Sequence, residues 1–220
     1  MSGLSFDIAH LLAGSLVLIG LLMLYQDRLT ALINVFAAQA AALALAVAWQ
    51  AWVQSAPHLY ITAAIALVLK AAVIPLALHR IIKRLGIHRE IDQAVSVGPT
   101  MLAGVGLVAL ALVVMLGATP EAGRLAREDL AFALSVVLLG LLMMVTRRNA
   151  VGLVVGFMSL ENGLVLAAAG AQGMPLVVEF SVAFSVLIAF IVIGVFLFRI
   201  RERFETVDVA ALDRFRGESR

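Results

Sequence analysis

The stretch TRRNAVGLVVGFMSLENGLVLAAAG, Thr146 to Gly170, decides the fold. Two arginines and an asparagine lead into a run of apolar and small residues of the length that crosses a hydrocarbon core, about 20 residues at 1.5 Å rise each. In the middle of that run, twelve residues past Asn149, stands Glu161. A charged side chain at the centre of a spanning helix costs about 2.5–3.5 kcal/mol on insertion scales, whereas a Leu or Ile returns only about 0.3–0.6. Such a helix must turn its acid towards protein, water or a counter-charge.

The rest of the chain repeats the apolar pattern. Of its 220 residues, 63% are hydrophobic and 14% charged, and the mean hydropathy is +1.08. Water-soluble domains carry about a quarter charged residues, so an all-α integral membrane protein is expected. Seven segments qualify as spans: 8–25, 29–53, 58–80, 97–117, 129–146, 149–171 and 174–198. The N-terminus, MSGLSFDIAHLLAGSLVLIG, has no basic leader and no convincing small-residue cleavage site, and reads as a retained first helix.

The basic residues set the expected direction. With the N-terminus outside, the inner side receives Arg28 after the first span and Arg80, Lys83, Arg84 and Arg89 after the third. Arg147 and Arg148 follow the fifth, and Arg199, Arg201, Arg203, Arg214, Arg216 and Arg220 follow the seventh. Only Arg124 and Arg127 fall on the outer side. The positive-inside rule then predicts seven transmembrane helices with the N-terminus outside and the C-terminus cytoplasmic. This arrangement of basic residues beside apolar runs also accounts for a pI near 9.5 without nucleic acid as a partner.

Three ionisable residues lie in the interiors of the predicted spans: Lys70, Glu161 and Glu179. Lys70 and Glu161 each fall about 18 Å into their helices, near the midplane of a core about 30 Å thick. A lysine stem does not reach the interface from there, so Lys70 must point inward. Five residues on, Pro75 removes a backbone donor and frees the carbonyl of Ala71, predicting a kink beside the ammonium. Intramembrane ionisable residues are functional by default, which makes Glu161, Lys70 and Glu179 proton-transfer candidates. The competing reading is a structural lock in which Glu161 pairs with Lys70 or with a base of a neighbouring subunit. Asn34, Gln39 and Asn162 read as interhelical hydrogen-bond formers, and the GLVVG run, Gly152 to Gly156, allows close helix approach.

Other chemistry is disfavoured. The absence of cysteine excludes disulfides, thiolate metal sites and iron–sulfur clusters in this chain. A transmembrane haem needs two histidines on facing helices at matched depth; His79 and His88 lie at the inner end, and nothing else supports the one outer pair, His10 and His58. No catalytic triad, phosphate loop or metal-ligand cluster is present, so neither an active site nor a resident cofactor is expected here.

The residues Arg147-Arg148-Asn149, the small-residue helix with Gly156, and Asn162 resemble the K subunit of bacterial respiratory complex I over the last three spans. Nearly the whole chain resembles component E of hydrogenase-4, a membrane subunit of complex-I-related group 4 hydrogenases and formate hydrogenlyases. This resemblance is carried by Gln39, Lys70 with Pro75, GPTM at Gly98 to Met101, RRN, LENG at Leu160 to Gly163, Glu179, and the tail TVDVAAL, Thr206 to Leu212. It implies a four-helix region over 1–128, a three-helix region over 129–199 and a cytoplasmic tail over 200–220. It also implies a bacterial inner (cytoplasmic) membrane and a part in proton translocation or coupling. The partners implied are antiporter-like membrane subunits, a quinone-subunit-like membrane anchor, and hydrogenase-type and iron–sulfur subunits holding the NiFe and iron–sulfur centres. A scaffold joining larger membrane subunits is the alternative.

Two departures from the K-subunit pattern stand out. Its first membrane glutamate aligns with Met158, one helical turn before Glu161, and residues three apart share a helix face. Its second aligns near Phe190, which does not titrate. Some hydrogenase relatives carry an acid around Ser185, where a hydroxyl can relay a proton but not store one.

Overall fold

A computed structural model describes residues 3–85, 95–118 and 124–170, together with Leu187, Ile188, Ile191 and Gly194. The regular structure among the described residues is helical: α1 (Gly3–Tyr25), α2 (Leu29–Gln54), α3 (Pro57–Ile65), a π-helical segment (Ala66–Val73), α4 (Ile74–Leu85), α5 (Val97–Ala118), α6 (Arg124–Thr146) and α7 (Ala150–Gly170). The α3, π and α4 segments run on as one rod. Among the described residues, six stretches are thus long and apolar enough to cross a membrane: Leu4–Tyr25, Leu29–Gln54, Pro57–Lys83, Val97–Met115, Glu128–Thr146 and Ala150–Gly170. The protein is accordingly an all-helical, multi-pass membrane protein. The expected seventh span, 174–198 with Glu179 and Ser185, lies outside the described residues but for the four single positions, as does the tail 200–220.

Local chemistry sets the ends. α2 stops at Ser55, whose left-handed backbone (φ 52°, ψ 40°) lets its N–H turn back to the Trp52 carbonyl at 3.3 Å. Pro57 then opens α3, a position where its missing N–H costs nothing. α7 is capped by Asn149, whose Oδ1 accepts the Gly152 N–H at 2.5 Å. Three helices overrun their predicted limits by several residues, α1 among them, which begins at Gly3 and not at 8. The third span continues past residue 80 to Leu85 as a cationic turn carrying Lys83 and Arg84, and α6 begins at Arg124, before 129. These last two extensions are charged, so they lie beyond the apolar windows and were invisible to an apolar-length criterion.

Consecutive spans alternate in direction. The Trp49 indole near the end of α2 donates to the Ser5 carbonyl near the start of α1 at 3.0 Å, and Gln54 donates to the Ala169 carbonyl of α7 at 2.8 Å. One end of the bundle therefore gathers the starts of α1, α3 and α6 with the ends of α2 and α7. The α6–α7 pair is the tightest. A Cβ at Gly140 would stand 2.5 Å from the Leu160 backbone nitrogen, and one at Gly163 would stand 2.8 Å from the Ala133 carbonyl oxygen. Glycine is required at both because the backbones themselves are in contact. Gly156 of the GLVVG run likewise faces α6 at Met144, whereas Gly152 faces the Arg147 side chain.

Candidate functional site

Four of the residues singled out in the sequence meet in one row at mid-depth. Lys70 Nζ lies 3.2 Å from Glu161 Oε1 and donates to Asn162 Oδ1 at 3.0 Å. Asn162 Nδ2 donates to Gln39 Oε1 at 3.3 Å, and Gln39 Nε2 donates to the Leu16 carbonyl of α1 at 3.3 Å. The row thus ties α7, the third span, α2 and α1 together. It is dry: Lys70 is 2% exposed, Glu161 3%, and Asn162 and Gln39 0%.

The sequence places these groups by simple geometry. Glu161 and Asn162 are neighbours on α7, about 100° apart around its axis, so one can face the third span while the other bridges to α2. Apolar residues such as Met158, Val155 and Val165 complete the buried face of α7. Lys70 sits inside the π segment, where the Ile74 N–H bonds to the Leu69 carbonyl five residues back. The simple kink expected at Pro75 is therefore a run of widened turns before the proline. A residue without an N–H cannot bond its i−4 carbonyl, and the wider turn takes up the mismatch. His79 Nδ1 donates to the Pro75 carbonyl at 2.8 Å, one turn further on. π-type turns recur at functional positions, and this one carries the intramembrane lysine.

The hydrogen bonds also give the row a sense. An ammonium only donates, so Asn162 must present its oxygen to Lys70 and its NH2 to Gln39, which must then present its NH2 to Leu16. Both amide dipoles are aligned by the charge at one end. Amides do not titrate, so the groups able to exchange a proton are Lys70 and Glu161. Transfer between them converts an ion pair into two neutral groups. What the arrangement can do chemically is hold, or release, one proton at mid-depth.

The sequence did not single out Arg147 as a site residue. Its guanidinium is buried and donates through Nη2 to the Leu24 carbonyl at 2.9 Å and to the Met23 carbonyl at 3.3 Å, closing the end of α1. Burial draws its pKa down and the charge of Asp27 opposes that, but a guanidinium stays charged across the working range. The available signal was a basic residue in a loop next to a helix C-terminus, where the macrodipole favours cations. The Leu16 carbonyl, being backbone, gives no side-chain signal. Glu179 and Ser185 lie outside the described residues. Among the described residues no group of three or more His, Cys, Asp or Glu is placed to hold a metal ion.

Comparison with known proteins finds a relative matched over its full length. The chain is 32% identical over 220 residues to the "Uncharacterized protein Rv0085" of Mycobacterium tuberculosis (strain ATCC 25618 / H37Rv), a match covering 98% of this chain and 100% of the relative. No family model matches the chain, and no solved structure does.

Proposed function

We propose, from the premise that the chain belongs to the family of the Mycobacterium tuberculosis protein Rv0085, that it is a proton-handling membrane subunit of a complex-I-like hydrogenase or formate hydrogenlyase. The observation that carries the proton-handling part is the Lys70–Glu161 pair, set at mid-depth and hydrogen-bonded into a dry row across four spans. The hydrogenase part rests on the sequence resemblance to component E of hydrogenase-4. In this reading the basic-rich loops face the cytoplasm and the N-terminus lies outside. Redox chemistry belongs to partner subunits that hold NiFe and iron–sulfur centres. Antiporter-like subunits and a quinone-subunit-like anchor flank the chain in the bacterial inner membrane, and Glu179 and Ser185 continue the pathway on the seventh span.

The test uses the assembled complex purified through a tag on this chain, with partners identified by mass spectrometry. Glu161→Gln, which keeps shape but removes the titrating group, is expected to lower proton translocation and turnover per assembled complex. Recovery of the chain without redox partners would remove the hydrogenase assignment. Unchanged translocation with Glu161→Gln would remove the proton role.

One observation favours a second reading. Lys70 and Glu161 are already paired and nearly sealed from solvent, as a structural lock requires. In a scaffold, Glu161→Gln reduces the yield of complex and leaves its specific activity intact.

A further inference from the structure

Apart from the Lys70 row, tertiary structure gathers a second set of titratable side chains where α1 and α6 both begin. His10 of α1 lies between two acids of α6, with Nε2 3.3 Å from Glu128 Oε2 and Nδ1 3.9 Å from Asp129 Oδ1. Phe132 meets the imidazole edge-on with ring centroids 4.7 Å apart, and Phe6 flanks it at 5.2 Å. Beside the cluster opens a cavity of about 540 Å³, lined by Asp7, His10, Gly14, Leu18 and Phe132 among others. His10 is 31% exposed in its side chain, so it remains within reach of water.

With both acids ionised, the geometry favours one protonation state of the imidazole. A neutral imidazole has one N–H and one lone pair, so between two carboxylates one ring nitrogen would turn its lone pair to an anion. An imidazolium offers an N–H to each. We propose that His10 is a proton-binding site, and that the imidazolium, held by Glu128 and Asp129, fastens α1 to α6 at this end of the bundle. Loss of the proton leaves one acid facing a lone pair and loosens the fastening. The site is independent of the hydrogenase reading. Its two helices matter to the row nonetheless, because α1 supplies the Leu16 carbonyl and α6 is packed directly on α7.

Among the described residues, few further charges face the cluster. α1 adds Asp7. The near end of α2 offers Trp49 and the uncharged Gln50 and Gln54, and α7 arrives with Gly170, close to Asp129. The side chains of Glu121, before α6, and of Arg124 and Arg127, in its first turn, lie outside the described residues.

The chain has no cysteine, so Leu4→Cys and Leu130→Cys give a clean pair of spin-label positions on the two helices. In the full chain reconstituted in lipid, the inter-label distance is expected to lengthen and broaden as the pH is raised from acid to alkaline. The response should vanish in His10→Gln and in Glu128→Gln/Asp129→Asn. A distance that ignores pH, or that responds equally in His10→Gln, overturns the proposal. Should those variants not fold, ¹⁵N-histidine NMR of the unsubstituted chain decides. Both His10 ring nitrogens carry protons at the acid end if the proposal holds, and a single neutral tautomer throughout refutes it.

Discussion

The Lys70 ammonium stands 3.2 Å from the Glu161 carboxylate, with 2% and 3% of the two residues exposed. Removing one member of such a pair strands the other charge, a loss of about 3–5 kcal/mol, whereas replacing both with apolar residues of similar size is often close to neutral. Lys70→Met and Glu161→Met are therefore each expected to destabilise the folded chain by about 3–5 kcal/mol, and the double variant by much less than their sum. Denaturation of the purified chain in detergent–lipid mixtures measures the cycle. Additive losses would show that the pair is not coupled.

Asn162 serves two partners, accepting from Lys70 and donating to Gln39. Asn162→Leu leaves buried polar groups on both sides unsatisfied, at about 1–3 kcal/mol for each. Gln39→Leu should cost less in the Asn162→Leu background than alone, because its partner is already gone. Equal costs in both backgrounds, read by the same denaturation, would show that the row is not continuous.

The Arg147 guanidinium closes α1 by bonding two of its terminal carbonyls. Arg147→Leu is expected to cost about 1–3 kcal/mol and to increase proteolysis near Tyr25. Arg147→Lys should recover only part of this, since a compact ammonium lacks the planar fork. Limited proteolysis with mass mapping of the cut sites gives the readout.

Gly140→Val forces a branched side chain against the Leu160 backbone and is expected to cost about 1–3 kcal/mol or to prevent folding. Gly106→Ala is the control, because a Cβ there meets nothing within 4 Å. Thermal unfolding of the two variants separates them, and similar melting behaviour would contradict the close α6–α7 contact.

Apolar run length made six spans legible in the sequence, because each hydrophobic stretch is bounded by charge or by a turn such as Ser55-Ala56-Pro57. The inward direction of Lys70 was legible from depth alone, since lipid offers an ammonium nothing. Its ion pair with Glu161 was one of the two readings the sequence offered, whereas the bond to Asn162 and the onward row to Gln39 and Leu16 were not foreseen. Which face of α7 meets which helix depends on the close contacts at Gly140 and Gly163, and small residues are too frequent in such chains to mark those two in advance. The π segment escaped because a proline announces a disturbance without specifying how the preceding turns absorb it. The His10 cluster escaped because its acids sit at the start of a helix whose first turns read as loop.

Synthesis from the N-terminus delivers Lys70 to the bilayer before Glu161 exists. During that interval the third hairpin limb must settle with its ammonium answered only by water, or by polar groups already inserted, such as Gln39. Burying that charge is thus a late event in biogenesis, complete only when α7 emerges from the ribosome. A chain truncated before Glu161 should remain within reach of quality-control proteases that the finished bundle escapes.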